Sequence, residues 1–265
     1  MKASLRACSE AVGKGDWARD CPRDSRNYSQ IPEDVGFFLG EGTWNTDYGR
    51  FFLNWYSEML LAHGDRILSA AEGIFRASGA KLSGKVAGIH SHYNSNFQAA
   101  ELTAGYYNTR EQEPNGYVPI SRLFIKCGAV LNFTCFEMKD EEGLLRQVTE
   151  ATRKTGVGLA GENALQRFNG SAYAQIRHNS NLNLQGINDN KSQMCAFTYL
   201  RMDQQMFESQ NWHRFVWFVR NMSEGRIVRN MSEGRTIGHG ECVAEVRWKC
   251  IGPNHTQFKS QSAWY

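Results

Sequence analysis

The stretch Gly156–Leu165, "GVGLAGENAL", decides how the rest of the chain is read. An apolar run climbs through Val157, Leu159 and Ala160 and stops on Gly161-Glu162-Asn163. A short apolar run with polar bounds is the pattern of a buried strand. In parallel α/β proteins the C-terminal ends of strands are where ligands sit. Glu162 stands at such an end, between a glycine that admits a close neighbour and an amide that hydrogen-bonds.

Outward from this stretch, strand-like and helix-like segments alternate. Strands are expected at Lys85–His90, Ala129–Thr134, Val157–Gly161 and Cys195–Leu200. Ahead of them Phe52, Trp55, Tyr56, Met59 and Leu60 recur at helical spacing, with Thr46 or Asp47 as a cap. A second periodic set, Ile67, Ala70, Ala71 and Ile74, follows Gly64, and Ser4–Val12 forms a short helical patch. Further helices are expected at Ala99–Asn108, through "YVPISRLFIK" with Gly128 just past its end, through "EGLLRQVTEATRKT", after a capping Ser171, and through "NWHRFVWFVRNM" with Trp212, Phe215, Val216 and Val219 on one face.

Four strands alternating with helices predict a parallel α/β arrangement with the strands adjacent and in chain order. The four strands end on His90, Thr134, Glu162 and Arg201. One polar strand end is ordinary; four, all C-terminal, is the layout of a barrel-type active face. Lys85, His90, Thr134, Glu162 and Arg201 are therefore expected together at one end of the sheet. Cys135 is read as a buried structural thiol, His92 and His213 as lone core or solvated histidines, and Trp44 and Trp55 as core. Asp140, Glu141 and Glu142 read as a solvated helix start.

Composition narrows the function classes. The chain has 265 residues, 41% of them hydrophobic, and a formal net charge of +3. Acids and bases are interspersed, so nothing suggests a nucleic-acid partner. No apolar run is long enough to cross a membrane, and Met1–Trp17 lacks the apolar core of a secretory signal. The seven cysteines form no C-x-x-C pair, which argues against a zinc site and for reduced thiols in an intracellular compartment. No cofactor and no metal are implied. "VRNMSEGR" occurs twice, at Val219–Arg226 and Val228–Arg235, and the sequence beyond fits no element well.

The residues carry a resemblance. From about Met1 to Glu224 the chain resembles the C-terminal half of plant β-amylases, inverting starch-degrading glycoside hydrolases. The matching stretches are "EGTWNTDYGRFFLNWYSEMLLAHGDRIL", "KVAGIH", "AAELTAGYYNTR", "GAVLNFTCFEMKDEE", "LRQVTEATRKTGVGLAGENAL" and "FTYLR". The resemblance implies a (β/α)8 barrel that releases β-maltose from the non-reducing ends of α-1,4-glucans. It divides the chain into an irregular 1–47, a half-barrel over 48–224 holding four βα units, and a divergent tail over 225–265. It makes Glu162 the general base, Asn163 and Ala164 sugar-holding positions, and Leu165 a wedge against the glucan. Lys85, His90, Thr134 and Arg201 fall on its substrate-binding positions. The implied partner is α-1,4-glucan or maltose, and the implied compartment is the cytoplasm or a plastid.

The departures point elsewhere. Inversion needs an acid and a base across the scissile bond. The family's acid lies in a "GELRYP"-type motif, which occurs nowhere in these 265 residues. Ser91 replaces an aromatic residue, Gln98 replaces a histidine, a stretch is missing between Glu142 and Gly143, and "EQEPN" reads as an insertion. These are the marks of a truncated or degraded gene copy, or of a faulty gene model, and little or no hydrolysis is expected. Three functions stay open: a β-amylase by descent, a non-catalytic glucan-binding or regulatory remnant, and a half-barrel whose open sheet edges drive association.

Overall fold

Four parallel strands lie side by side in chain order in a computed structural model of the chain. The structure describes residues 1–19, 21–22, 34–39, 42–88, 102–108, 114–141, 143–181, 194–200 and 202–223. The strands are β1 (Ser83–Val86), β2 (Val130–Phe133), β3 (Leu159–Glu162) and β4 (Ala196–Thr198). The helices are α1 (Lys2–Ala11), α2 (Asp47–Phe75), α3 (Tyr117–Lys126), α4 (Leu144–Thr155), α5 (Gly170–Asn181) and α6 (Ser209–Ser223). The expected parallel order is present. The strands expected at Lys85–His90 and Cys195–Leu200 are shorter, since β1 ends at Val86 and β4 at Thr198, with Ala87, Gly88, Tyr199 and Leu200 outside the strands; His90 and Arg201 themselves lie outside the described residues.

Register explains the two faces of the sheet. Lys85 pairs with Asn132, Asn132 with Ala160, and Ala160 with Ala196; the next row is Val86, Phe133, Gly161 and Phe197. Residues in one row point to the same face, and alternate residues along a strand do too. One face therefore carries Val86, Leu131, Phe133 and Leu159, which form the main core with Phe124 of α3, Val148 of α4, Tyr173 of α5 and Phe215 of α6. The opposite face carries Lys85, Asn132, Ala160 and Glu162. Gly161 belongs to the helix-covered face. A Cβ there would meet the Met194 sulfur at 2.7 Å and Phe197 at 3.0 Å, so its close neighbours are the protein's own side chains rather than a ligand.

The helices correct several expectations. Thr46 caps α2 by accepting the Gly49 N–H at 3.2 Å, but α2 then runs unbroken for 29 residues through Gly64. Its buried line is Leu53, Trp55, Ser57 and Leu61; Phe52, Tyr56, Met59 and Leu60 flank it half-buried, with the Phe52 and Tyr56 rings stacked. Of the helix expected at Ala99–Asn108, the described part, Leu102–Asn108, forms no α-helix but only a kinked 3-10 turn at Thr103–Gly105. Gly105, at φ +91°, lies so close to Leu61 that a Cβ would come within 2.7 Å of its Cγ, while its carbonyl accepts the Ser57 hydroxyl at 2.6 Å. Asn169, not Ser171, caps α5, accepting the Ala172 N–H at 2.8 Å. Phe215 and Phe218 form the inner face of α6, and Trp212 is exposed against Phe207. Helix α1 docks on α2, where the Trp55 indole donates to the Ser4 hydroxyl at 3.3 Å.

Candidate active site at the strand ends

Glu162 is the last residue of β3 and only 4% exposed. Its side chain lies on the face opposite the main core, with Asn132 and Ala160, both of them buried. There the ammonium of Lys85, from β1, pairs with Glu162 Oε1. The pairing spans the sheet diagonally, since Lys85 is level with Ala160 across β2 and Glu162 is two residues further along. Lys85 keeps half its side chain in solvent while the carboxylate is almost fully enclosed. Among the described residues no hydrogen-bond donor other than Lys85 reaches that oxygen.

Thr134 follows β2 immediately and is buried. The chain then turns sharply, with Cys135 at φ +68°, a left-handed conformation that favours glycine. The Cys135 thiol is buried and points to the Thr134 hydroxyl at 3.5 Å. Asn132, on the same face as Lys85, buries an Oδ1 that has no hydrogen-bond partner among the described residues. Lys85 and Glu162 thus lie on β1 and β3, and Thr134 just past the end of the intervening β2; His90 and Arg201 lie outside the described residues.

The turn after Glu162 is tightly held. The Asn163 amide donates to the carbonyls of Leu200 at 3.1 Å and Leu165 at 3.2 Å, and its oxygen accepts the Leu200 N–H at 2.6 Å. Asn163 is 1% exposed, so it ties β3 to the segment after β4 and keeps its amide turned inward. Ala164 is half-buried, and Leu165 stands 40% exposed. The Phe136 N–H donates to the Glu162 carbonyl at 3.1 Å.

A second buried carboxylate, Glu137, went unnoticed in the sequence. It accepts the N–H groups of Ala164 and Leu165. Only its position in "NFTCFEM", three residues beyond a strand-end threonine, hints at it. Trp55 is buried and Trp44 half-buried, His213 faces the Ser209 carbonyl at 2.7 Å, and Asp140 caps α4 through the N–H groups of Leu145 and Arg146. His92, Cys242 and Cys250 lie outside the described residues. No cluster able to hold a metal ion exists among the described residues.

The profile of glycosyl hydrolase family 14 matches residues 1–227. The chain belongs to glycosyl hydrolase family 14. Within that family, "Beta-amylase 1, chloroplastic" of Oryza sativa subsp. japonica is 50% identical over 236 residues, covering 84% of this chain and 43% of the rice protein. "Beta-amylase 1, chloroplastic" of Arabidopsis thaliana is 49% identical over 236 residues, 84% of this chain and 41% of that protein. "Beta-amylase" of Glycine max is 40% identical over 235 residues, 84% of this chain and 46% of that protein. The chain thus spans less than half the length of these family 14 relatives. Its fold is similar to that of the catalytic domain of β-amylase from Paenibacillus polymyxa, with a TM-score of 0.61 at 24% identity over 83% of this chain and 54% of that one. The four strand–helix units are accordingly part of a family 14 α/β barrel.

Proposed function

We propose that this family 14 chain binds the non-reducing end of an α-1,4-glucan at the strand ends beside Lys85, Thr134 and Glu162 and supplies the general base of β-amylase chemistry through Glu162. The observation that carries the reading is a buried carboxylate at the end of β3 whose one described charged partner is a half-exposed lysine. A carboxylate so placed can take a proton from a water beneath an anomeric carbon. Lys85 holds it in place until a sugar arrives, and its ammonium then donates to sugar hydroxyls. Thr134, with a hydroxyl that donates and accepts, His90 and Arg201 complete the binding set, and Leu165 offers exposed apolar surface to a sugar ring.

Hydrolysis also needs an acid to protonate the leaving oxygen. Glu137 does not fill that role, because both its oxygens already accept backbone N–H groups. This favours a second reading for the 265 residues by themselves, a glucan-binding unit with little or no turnover. General acid catalysis contributes roughly 10²–10⁴-fold, so its loss alone makes hydrolysis slow. The outer sides of β1 and β4, which no strand pairs among the described residues, favour association through strand edges. A plastid is the proposed compartment, by analogy with the chloroplastic relatives. We propose too that 1–47, 48–224 and 225–265 are the functional divisions, with the glucan site wholly in the second.

Purified chain incubated with soluble starch tests the reading. Saturable maltose binding without β-maltose release is expected. Robust release abolished by Glu162→Gln would show that an unidentified second carboxylate completes the site. Absence of both binding and release from folded protein would overturn the proposal.

A further inference from the structure

We propose that Glu137 is a positioning residue: its carboxylate fixes the turn that presents Glu162 and Leu165, and Asn179 anchors it from α5. Glu137 is 3% exposed, yet among the described residues no cation pairs with it. Its Oε1 accepts the Ala164 N–H at 2.9 Å and the Leu165 N–H at 2.5 Å, and its Oε2 accepts the Ala164 N–H at 3.1 Å. Charge-assisted bonds of this kind are about twice as strong as neutral ones, and a buried carboxylate is tolerated where such donors converge on it.

The backbone on either side of Glu137 is itself clamped. The Asn179 amide donates to the carbonyls of Phe136 at 2.7 Å and Met138 at 2.9 Å, the two residues that bracket Glu137. Asn179 is 2% exposed and sits in the last turn of α5. The Phe136 N–H meanwhile donates to the Glu162 carbonyl at 3.1 Å. A closed circuit results, from α5 to the segment after β2, through the Glu137 side chain to Ala164 and Leu165, and back through Phe136 to Glu162. Core packing cannot supply this function, since the turn is polar and Leu165 points outward. Without the carboxylate the Ala164 and Leu165 N–H groups lose these charge-assisted bonds, and the turn is freer to move the base and the exposed leucine relative to Lys85.

The binding arm of the test rests on the glucan reading above; the exchange arm does not. In the 265-residue chain, amide hydrogen exchange at Ala164 and Leu165 is measured by NMR and maltose affinity by titration. Glu137→Ala is expected to speed exchange at both amides by at least about tenfold and to weaken maltose about tenfold. Glu137→Gln keeps an acceptor at Oε1 and should stay within about threefold of the parent in both. Val148→Ala, a core truncation in α4 far from the turn in sequence, should lower the melting temperature and leave both readouts alone. If Glu137→Ala does not fold, Glu137→Asp replaces it, because the shorter carboxylate cannot reach both N–H groups and predicts the same faster exchange. Unchanged exchange in the folded Ala or Asp variant overturns the proposal, as does an equal loss of affinity in Val148→Ala. A parent chain that binds no maltose defeats the glucan reading, and exchange alone then decides the role of Glu137.

Discussion

Lys85 reaches from β1 across β2 to the carboxylate of Glu162 on β3, joining the first and third strands of the sheet on the face opposite the main core. The pairing is a consequence of register. Lys85, Asn132 and Ala160 are level, so a long side chain leaning toward the strand ends meets the residue two places beyond Ala160. A shorter base at position 85 could not close the gap.

Replacing Lys85 by Met should therefore destabilise the fold through Glu162 rather than through lost packing. Removing one partner of a fully buried pair costs ~3–5 kcal/mol, but Lys85 is half exposed and water compensates part of the loss, so about 1–2 kcal/mol is expected. Glu162→Gln removes the buried charge and leaves only a hydrated ammonium, and should cost below about 1 kcal/mol. Urea denaturation of the two variants checks the order; a larger cost for Glu162→Gln would refute it.

At Cys135 the backbone holds φ at +68°, where side chains beyond glycine are strained. Cys135→Gly relieves that strain but gives up a buried thiol and adds freedom to the unfolded chain, effects of similar size, so a change within about 1 kcal/mol is expected. Cys135→Val puts a β-branched side chain into the same conformation and should lose about 2 kcal/mol or more. Thermal melts in reducing buffer compare the two. Equal costs would show that packing, not backbone conformation, governs the site.

Much of this architecture was legible in the order of apolar runs. In "AVLNFT" the alternation of Leu131 and Phe133 with Asn132 and Thr134 already separates a core face from a polar one, and the structure keeps that separation. What escaped depended on tertiary contact. Gly64 looks like a helix break, but it costs a helix only about 1 kcal/mol, and packing of α2 on α3, including the Asp65–Lys126 ion pair at 2.7 Å, outweighs that. Leu102–Asn108 has helical composition, but the close approach of Gly105 to Leu61 and Ser57 dictates another path. Glu137 carried no local signal beyond its nearness to Thr134, since its partners lie 27 and 28 residues away.

Tyr173 and Tyr199, whose hydroxyls lie 3.3 Å apart, both titrate above the ordinary 10.0, chiefly because burial disfavours the phenolate. Between the ordinary value and the raised one, the unfolded chain is ionised while the folded chain is not. Their contribution to stability is thus complete below pH ~10 and lost as pH rises through the folded values. Melting temperatures followed from about pH 9 to 11 should fall. Tyr199→Phe removes one of the two groups and should flatten that fall; an unaltered slope would assign the alkaline loss to other residues.

Leu165 separates binding from stability. It is 40% exposed, and its backbone N–H, not its side chain, engages Glu137. Truncation to Ala removes little buried area and should leave the melting temperature within about 1–2 °C of the parent, as for surface substitutions generally. If the exposed side chain packs against a sugar ring, the same change strips apolar contact from the ligand alone. A loss of ~1 kcal/mol, equivalent to about a fivefold weaker maltose dissociation constant, follows from burying a leucine side chain only partly. Titration of folded Leu165→Ala with maltose makes the comparison. Unchanged affinity would remove Leu165 from the site, and a matching fall in melting temperature would make it a structural residue instead.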